Sequence, residues 1–169
     1  MKDEVGIRVA REHEIDAVGR LTVAAYAADG RITADHPYAT HLADAGARLR
    51  DAVLLVATSP GGELVGTVTL VPPESSIAEM CRPSEMEVRM LAVAPASRGR
   101  GVGEALARAC IEVARERGCE RVILSSGTWM TVAHRLYERL GFVRVPERDW
   151  SPRVDVSLLA YELPLAAAA

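Results

Sequence analysis

A short apolar segment, a turn of glycine and arginine, and an amphipathic helix follow one another at residues 87–117. Residues 87–93 are mostly apolar and predict a strand, while residues 98–103 read Arg-Gly-Arg-Gly-Val-Gly. Because glycine has no Cβ, several backbone N–H groups of this turn can converge on one ligand. The helix adds unpaired N–H groups and the positive end of its dipole. The stretch therefore predicts a diphosphate site. The helix is predicted from the spacing of Val102, Leu106, Ala109, Cys110, Val113 and Ala114.

Two other interpretations of the glycine turn are open from its residues alone. It could be a loop required for packing, or a degenerate dinucleotide-binding turn. A Rossmann turn has the spacing G-x-G-x-x-G early in the chain, with an acidic residue about 20 positions later. Here Gly99, Gly101 and Gly103 have a different spacing and lie past the middle of the chain, which disfavours that fold.

Two motifs resemble a known family. Residues 98–103 fit the R/Q-x-x-G-x-G/A signature, which resembles the acetyl-CoA motif of the GNAT family of N-acetyltransferases. Residues 133–142, Ala-His-Arg-Leu-Tyr-Glu-Arg-Leu-Gly-Phe, resemble the family's later A-x-x-L-Y-x-x-x-G-F helix. The resemblance is strong over residues 64–145. It implies an acetyl-CoA-dependent acyltransferase that moves an acetyl group directly to a primary amine of a small molecule or peptide. A non-catalytic acyl-CoA-binding regulatory or sensor domain, and an interaction module that keeps only the fold, are the alternatives.

The resemblance also implies which residues hold the co-substrate acetyl-CoA. The strand is expected to pair its backbone with the pantetheine arm, and an N–H near Leu91 to face the thioester oxygen. The turn is expected to bind the diphosphate, with charge-assisted contacts from its two arginines. The predicted coenzyme-binding residues are Leu91, Ala92, Val93, Arg98, Gly99, Arg100, Gly101, Val102 and Gly103.

Two residues match the positions of the family's catalytic groups. Glu87 opens the strand and is the predicted general base, directly or through one water, with Glu79 or Glu85 as substitutes. The alternative is a solvent-facing glutamate at a strand edge. Tyr137 lies at the position of the general acid that protonates the leaving thiolate, although a tyrosine on an amphipathic helix can also be simply a core residue.

The last helix departs from the family pattern at one position. Met130 stands where the family commonly has asparagine, and a thioether cannot replace the amide's two donors. His134, one turn further on, is expected to face outward. In addition, Glu74, Glu79, Glu85 and Glu87 are expected to form an acidic rim that attracts a cationic amine; the alternative is that they are only solvated loop residues.

Composition limits the class of protein. The 169 residues fit one domain, predicted at residues 1–165 with a frayed tail at 166–169. A net charge of −3 with dispersed arginines argues against nucleic acid as a partner. Although 49% of residues are hydrophobic, no run is long enough for a membrane span, and residues 1–5 do not resemble a secretory signal. We therefore expect a cytoplasmic protein that needs no metal and has reduced thiols at Cys81, Cys110 and Cys119. Monomer and homodimer both remain open.

The pattern along the chain predicts a mixed, mostly antiparallel sheet of about seven strands with helices on both faces. Helices are expected at 15–28, 38–50, 104–117 and 129–140. Residues 72–85, with several prolines and acids, are predicted to be a loop that shapes specificity. The predicted strands are 6–10, 52–57, 63–71, 87–93, 120–126, 142–145 and 154–163.

Overall fold

The computed structural model describes residues 4–30, 32–33 and 35–166. Residues 1–3 of the predicted N-terminal segment and 167–169 of the predicted tail lie outside this part. The strands within it are β1 (Gly6–Val9), β2 (Val53–Thr58), β3 (Leu64–Val71), β4 (Glu85–Val93), β5 (Arg121–Gly127), β6 (Val143–Arg144), β7 (Trp150–Arg153) and β8 (Val156–Pro164). The α-helices are α1 (Ile15–Ala28), α2 (Pro37–Ala43), α3 (Ala45–Asp51), α4 (Val102–Glu116) and α5 (Thr131–Arg139). None of these helices is long and apolar enough to cross a bilayer.

The strands form one sheet in the order β1-β2-β3-β4-β5-β8-β6, with β7 paired to β8. β4 and β5 are parallel, and the other described pairs are antiparallel. This confirms the predicted mixed, mostly antiparallel sheet. The sheet has one strand more than predicted, because β7 was not predicted. Its sequence, Trp-Ser-Pro-Arg, is largely exposed and has no apolar alternation that would mark it as a strand.

Helices cover both faces of the sheet, as predicted. Side chains of β2 alternate between two apolar clusters, because successive residues of a strand point to opposite faces. Leu55 and Ala57 pack in the cluster that contains α4 and α5. Leu54 and Val56 pack against α1 and α3 on the other face.

The helix predicted at 38–50 is wrong as a single element. Asp44, with φ −83° and ψ 67°, interrupts it. Its carboxylate accepts a hydrogen bond from the Ala47 N–H at 3.1 Å and so caps the start of α3. The buried Arg48 then donates to the carbonyls of His41 and Leu42 at 2.8 and 3.0 Å, which satisfies the C-terminal end of α2. The apolar spacing continues across the break, and this explains the incorrect prediction.

β4 has two irregularities that create space beside it. Thr67 of β3 lies opposite Ala92, and Thr69 opposite Arg89. Two β4 residues, Met90 and Leu91, therefore lie opposite one β3 residue in a β-bulge, with Met90 at φ +53°. In addition, the pairing of β4 with β5 ends at Val88 and Leu124. Beyond that point β4 continues beside β3 and β5 beside β8, so a gap opens between the two parallel strands.

An ion pair joins β1 to the segment that leads into α1. Arg8 donates to the two carboxylate oxygens of Glu14 at 2.9 and 2.6 Å, and the Arg11 N–H donates to the same carboxylate at 2.8 Å. The hydrogen bonds from Arg8, more than any other effect, lower the pKa of Glu14 to about 2. The fold therefore favours the ionised form of this carboxyl.

We expect Glu14→Gln to reduce the free energy of unfolding at neutral pH by about 1 kcal/mol, a value discounted for the solvent near the pair. A lowered pKa contributes stability above the unfolded value near 4.5, and this contribution is lost as the pH falls toward about 2. Urea denaturation of both proteins across that range is the measurement. A stability difference that does not change with pH would contradict this account of the ion pair.

Candidate active site

The glycine turn has the backbone that an anion site requires. Gly99 and Gly101 have φ values of +78° and +84°, which L-residues with a Cβ rarely adopt. Gly101 is the N-cap residue of α4, and its carbonyl accepts the Ala105 N–H at 3.0 Å. The first N–H groups of an α-helix are not used by its own carbonyl groups. The turn thus lies at the positive end of a fifteen-residue helix, where backbone N–H groups are directed toward an anion.

One of the two arginines of the turn, Arg98, is placed differently from the expectation. Arg98 donates to the Asp29 carboxylate at 2.7 Å and to the Ala25 carbonyl at 2.8 Å. Its guanidinium therefore holds the turn against the C-terminal end of α1. Arg100 has an exposed side chain. In this conformation the backbone of the turn, rather than Arg98, is the main feature that can hold a diphosphate.

A cavity of about 530 Å³ lies at the gap between β4 and β5. Residues 87–91 of β4 and 125–127 of β5 form its floor, and it extends between α1, the start of α2 and the β7–β8 hairpin. It contains Leu91 of the predicted coenzyme-binding residues, while Ala92 and residues 98–103 lie outside its lining. The structure therefore brings the two predicted catalytic residues, Glu87 and Tyr137, into one cavity.

Tyr137 packs in the hydrophobic core and also lines the cavity. It is 5% exposed, and its ring packs against Phe142 and Tyr161 with centroids 5.6 and 6.2 Å away. Burial raises the pKa of its hydroxyl above the ordinary value, because an apolar environment disfavours the phenolate. The residue is thus a packing group that also lines the cavity, and its hydroxyl keeps its proton.

Glu87 is buried at 1% exposure and is not the solvent-facing glutamate of the alternative interpretation. Its Oε1 accepts the backbone N–H groups of residues 79–81 at 3.0, 3.0 and 3.2 Å. Three donors occupy this oxygen, so Glu87 anchors the loop over β4. Its Oε2 lies 4.0 Å from Arg89 Nε, and this oxygen is the one that could accept a proton.

Arg89, which is not among the predicted site residues, connects the charged groups of the cavity. Its guanidinium lies 2.6 Å from Glu79 Oε1. It also donates to the Ile77 carbonyl at 2.9 Å and to the Tyr38 hydroxyl at 3.4 Å. Burial raises the pKa of Glu79, and Arg89 opposes that shift. The sequence did contain one signal for such a role: this charged residue stands between the apolar residues 88 and 90 of a buried strand.

The predicted acidic rim is not formed. Glu79 and Glu87 line the cavity, whereas Glu74 and Glu85 do not. Glu85 faces a different depression, where its buried carboxylate accepts from Arg148 at 2.8 Å and Arg121 at 3.2 Å. Burial opposes its ionisation, but these hydrogen bonds prevail, and the pKa of Glu85 is lowered. Glu85 is therefore a structural anion, not a substitute base.

The departures in and near α5 have local consequences. Met130 precedes the first residue of α5 and lines the cavity, where its sulfur is 3.7 Å from the Ser126 hydroxyl.

The expectation that His134 faces outward is wrong. Its ring is half-buried 5.5 Å from that of Tyr161, and its Nε2 is buried without a hydrogen-bond partner in the described part of the chain. The helical spacing did not reveal that β8 covers this side of α5.

Comparison with known proteins decides the family. The model of the acetyltransferase (GNAT) family matches residues 8–142. The chain belongs to the GNAT family. This match confirms the resemblance found in the two sequence motifs, and it extends over most of the chain.

Individual relatives agree with this assignment. N-acetyltransferase 8 of Rattus norvegicus is 32% identical over 110 residues, which are 62% of this chain and 47% of that protein. The chain thus spans about half the length of this curated relative. An acetyltransferase of the GNAT family from Staphylococcus aureus Mu50 superimposes with a TM-score of 0.76 at 16% identity, covering 96% of this chain and all of that one.

A third comparison is with a protein whose structure contains a ligand. A putative acetyltransferase from Salmonella typhimurium, solved with its cofactor acetyl-CoA, superimposes with a TM-score of 0.68 at 22% identity. The match covers 98% of this chain and 96% of that one. At these identities the two solved structures establish that the GNAT fold is shared.

Proposed function

We propose that this protein is an acetyl-CoA-dependent N-acetyltransferase that transfers the acetyl group directly to a primary amine of a small molecule or peptide. The observation that carries the proposal is one cavity, at the gap between β4 and β5, that both Glu87 and Tyr137 line. Family membership and the acetyl-CoA-bound relative support the same activity. A domain that only binds acyl-CoA would need no proton donor and acceptor in that cavity.

In this proposal the backbone N–H groups of residues 99–104 hold the diphosphate, and β4 beyond Val88 pairs with the pantetheine arm. Acetyl-CoA supplies the activated acetyl group as a thioester. A backbone N–H near Leu91 stabilises the negative charge that develops on the carbonyl oxygen, an interaction that can be worth roughly 3 kcal/mol. The bulge at Met90 and Leu91 supports this role because it removes β4 backbone groups from regular pairing with β3.

The acceptor amine must lose a proton before its nitrogen can attack. A lysine-like primary amine has an ordinary pKa near 10 and a peptide α-amino group one near 8, so both are mostly protonated at neutral pH. Glu87 Oε2 or Glu79 takes this proton, directly or through water. The nitrogen then forms the new C–N bond as the C–S bond breaks, and Tyr137 donates a hydrogen bond to the leaving sulfur. The nitrogen loses its second proton, and this balances the proton that the sulfur gains when coenzyme A leaves as a thiol. None of the three cysteines lies among the residues that line the cavity, which favours direct transfer.

Substitution of the two glutamates separates their roles. If Glu87 is the base, Glu87→Gln lowers kcat by about two to four decades, while Glu79→Gln changes it little. If Glu87 only anchors residues 79–81, its replacement lowers the melting temperature, and Glu79→Gln then has the larger effect on kcat. Thiol release and thermal unfolding of both variants, with the exposed Glu112→Gln of α4 as the control, distinguish these results.

The proposed activity itself is tested by thiol release from acetyl-CoA over a panel of primary amines, together with calorimetry of acetyl-CoA binding. Binding with turnover of at least one amine supports an enzyme. Tight binding without turnover of any amine in the panel supports the acyl-CoA-binding regulatory domain instead. Absence of binding contradicts both.

A further inference from the structure

A histidine and an arginine that are distant in the sequence face each other in the cavity. His36 lies just before α2, and Arg153 is the last residue of β7. His36 Nε2 is 3.5 Å from Arg153 Nη1, and both residues line the cavity. We call these two side chains the His36–Arg153 pair. The pair joins the α1–α2 connection to the β7–β8 hairpin.

The hydrogen-bond pattern determines which nitrogen of His36 carries the proton. The Tyr38 N–H donates to His36 Nδ1 at 3.1 Å, so Nδ1 is the acceptor nitrogen. In neutral imidazole the other nitrogen then carries the hydrogen. Arg153 has donors only. Two donors are thus directed toward the same space with no acceptor between them, an arrangement that an anionic oxygen within reach of both would satisfy.

The two acidic side chains near the pair do not prevent it from binding such an anion. Arg153 Nε is 3.9 Å from the exposed Asp155 carboxylate, a separation too long for a good hydrogen bond. Asp35 lies beside His36 but is exposed and outside the cavity lining, where solvent screens it. The pair is also separate from the glycine turn, since residues 98–103 do not line the cavity. An anion held by the pair would therefore belong to the acceptor, not to the coenzyme diphosphate.

We infer that the acceptor is an amino acid whose carboxylate binds the His36–Arg153 pair while its ammonium group faces Glu79 and Glu87. This inference rests on the proposed function and names the substrate class for it. The pair and the two glutamates line the same cavity, so groups that could bind each charge of a zwitterion are present in it. Tyr26, Ile32 and Trp129 also line it and give an apolar surface for a side chain. The bound ammonium first gives one proton to Glu79 or Glu87. The nitrogen then forms the C–N bond as the thioester C–S bond breaks, and it gives up a second proton while the leaving thiolate gains one.

The test compares each proteinogenic L-amino acid with its own amide, which keeps the amine and the side chain but lacks the carboxylate. Binding to the coenzyme A complex is measured by calorimetry, and turnover by thiol release. Arg153→Met removes one donor of the pair. His36→Asn removes the other while keeping a side chain that can cap α2. Arg115→Met, an exposed arginine of α4 paired with Glu112, is the matched control.

We expect at least one amino acid to bind about ten- to a hundredfold more tightly than its amide, the loss that follows from removing one charged hydrogen-bond partner. Arg153→Met and His36→Asn should weaken binding of the acid toward that of the amide, and Arg115→Met should not. If no acid is preferred over its amide, or if the preference survives in both variants, the inference is wrong. If acids bind selectively but no amine is acetylated, the inferred binding site stands and the proposed activity fails.

Discussion

Gly103→Glu is expected to weaken acetyl-CoA binding by at least about a hundredfold while the protein stays folded. Gly103 is the second residue of α4, next to the donors predicted to hold the diphosphate. A carboxylate here would repel that anion and compete for the same N–H groups, and hydrogen bonds to charged groups are worth about 1.5–3 kcal/mol each. Calorimetry with acetyl-CoA is the measurement.

The structure has space for a Cβ at this position, so we expect the variant to fold. A Cβ at Gly103 would lie 3.6 Å from Leu136 and 3.7 Å from Val93, which are ordinary contact distances. A negative charge in the first turn of a helix also interacts favourably with the helix dipole. The melting temperature should therefore stay the same or rise slightly, in contrast to the loss of affinity.

Three further variants complete the experiment. Gly103→Ala adds the Cβ without the charge and should bind acetyl-CoA far better than Gly103→Glu. Gly61→Glu adds the same charge at the β2–β3 turn, where the nearest atom to a Cβ is 3.8 Å away, and should bind normally. Gly101→Glu should also lose binding, but its φ of +84° adds backbone strain of about 1 kcal/mol or more. Unchanged affinity of Gly103→Glu would remove the assignment of the turn as a diphosphate site.

Local patterns allowed the sequence to predict the strand, turn and helix at residues 87–117, because strand alternation, glycine φ values and helical spacing each depend on near neighbours. The features that shape the cavity depend on distant partners. The gap beyond Val88 exists because β5 changes its neighbour to β8. The burial of Glu87 requires three N–H groups of a loop whose path the sequence left undefined.

Pairs of distant residues were the least predictable part of the site. Glu85 and Glu87 are two positions apart on one strand, and the sequence grouped them in one acidic rim. Their side chains have different partners, since Arg148 and Arg121 hold Glu85 in a separate depression. His36 and Arg153 are 117 positions apart. No local pattern could indicate that they meet.

Tyr137 is protonated at neutral pH, but its acidity is too low for complete proton transfer to an ordinary thiolate. A thiol has an ordinary pKa of about 8.5 and a phenol about 10, and burial raises the pKa of Tyr137 further. Transfer from the phenol to a solvated thiolate is therefore unfavourable. A thiolate that forms in an apolar cavity also loses hydration, which raises its own pKa. Tyr137 can therefore stabilise the leaving sulfur by donating a hydrogen bond to it, without giving up its proton completely.

Tyr137→Phe should accordingly lower kcat by about one to three decades, within the range of general acid catalysis, with little change in acetyl-CoA affinity. The ring contacts with Phe142 and Tyr161 remain, so thermal unfolding should change little. Tyr161→Phe is the matched control, because it removes a hydroxyl from the same core at a residue outside the cavity lining, and it should keep the parent rate. Single-turnover measurements of both variants separate chemistry from product release. A rate for Tyr137→Phe within about twofold of the parent in that experiment would mean that water, not Tyr137, stabilises the leaving sulfur.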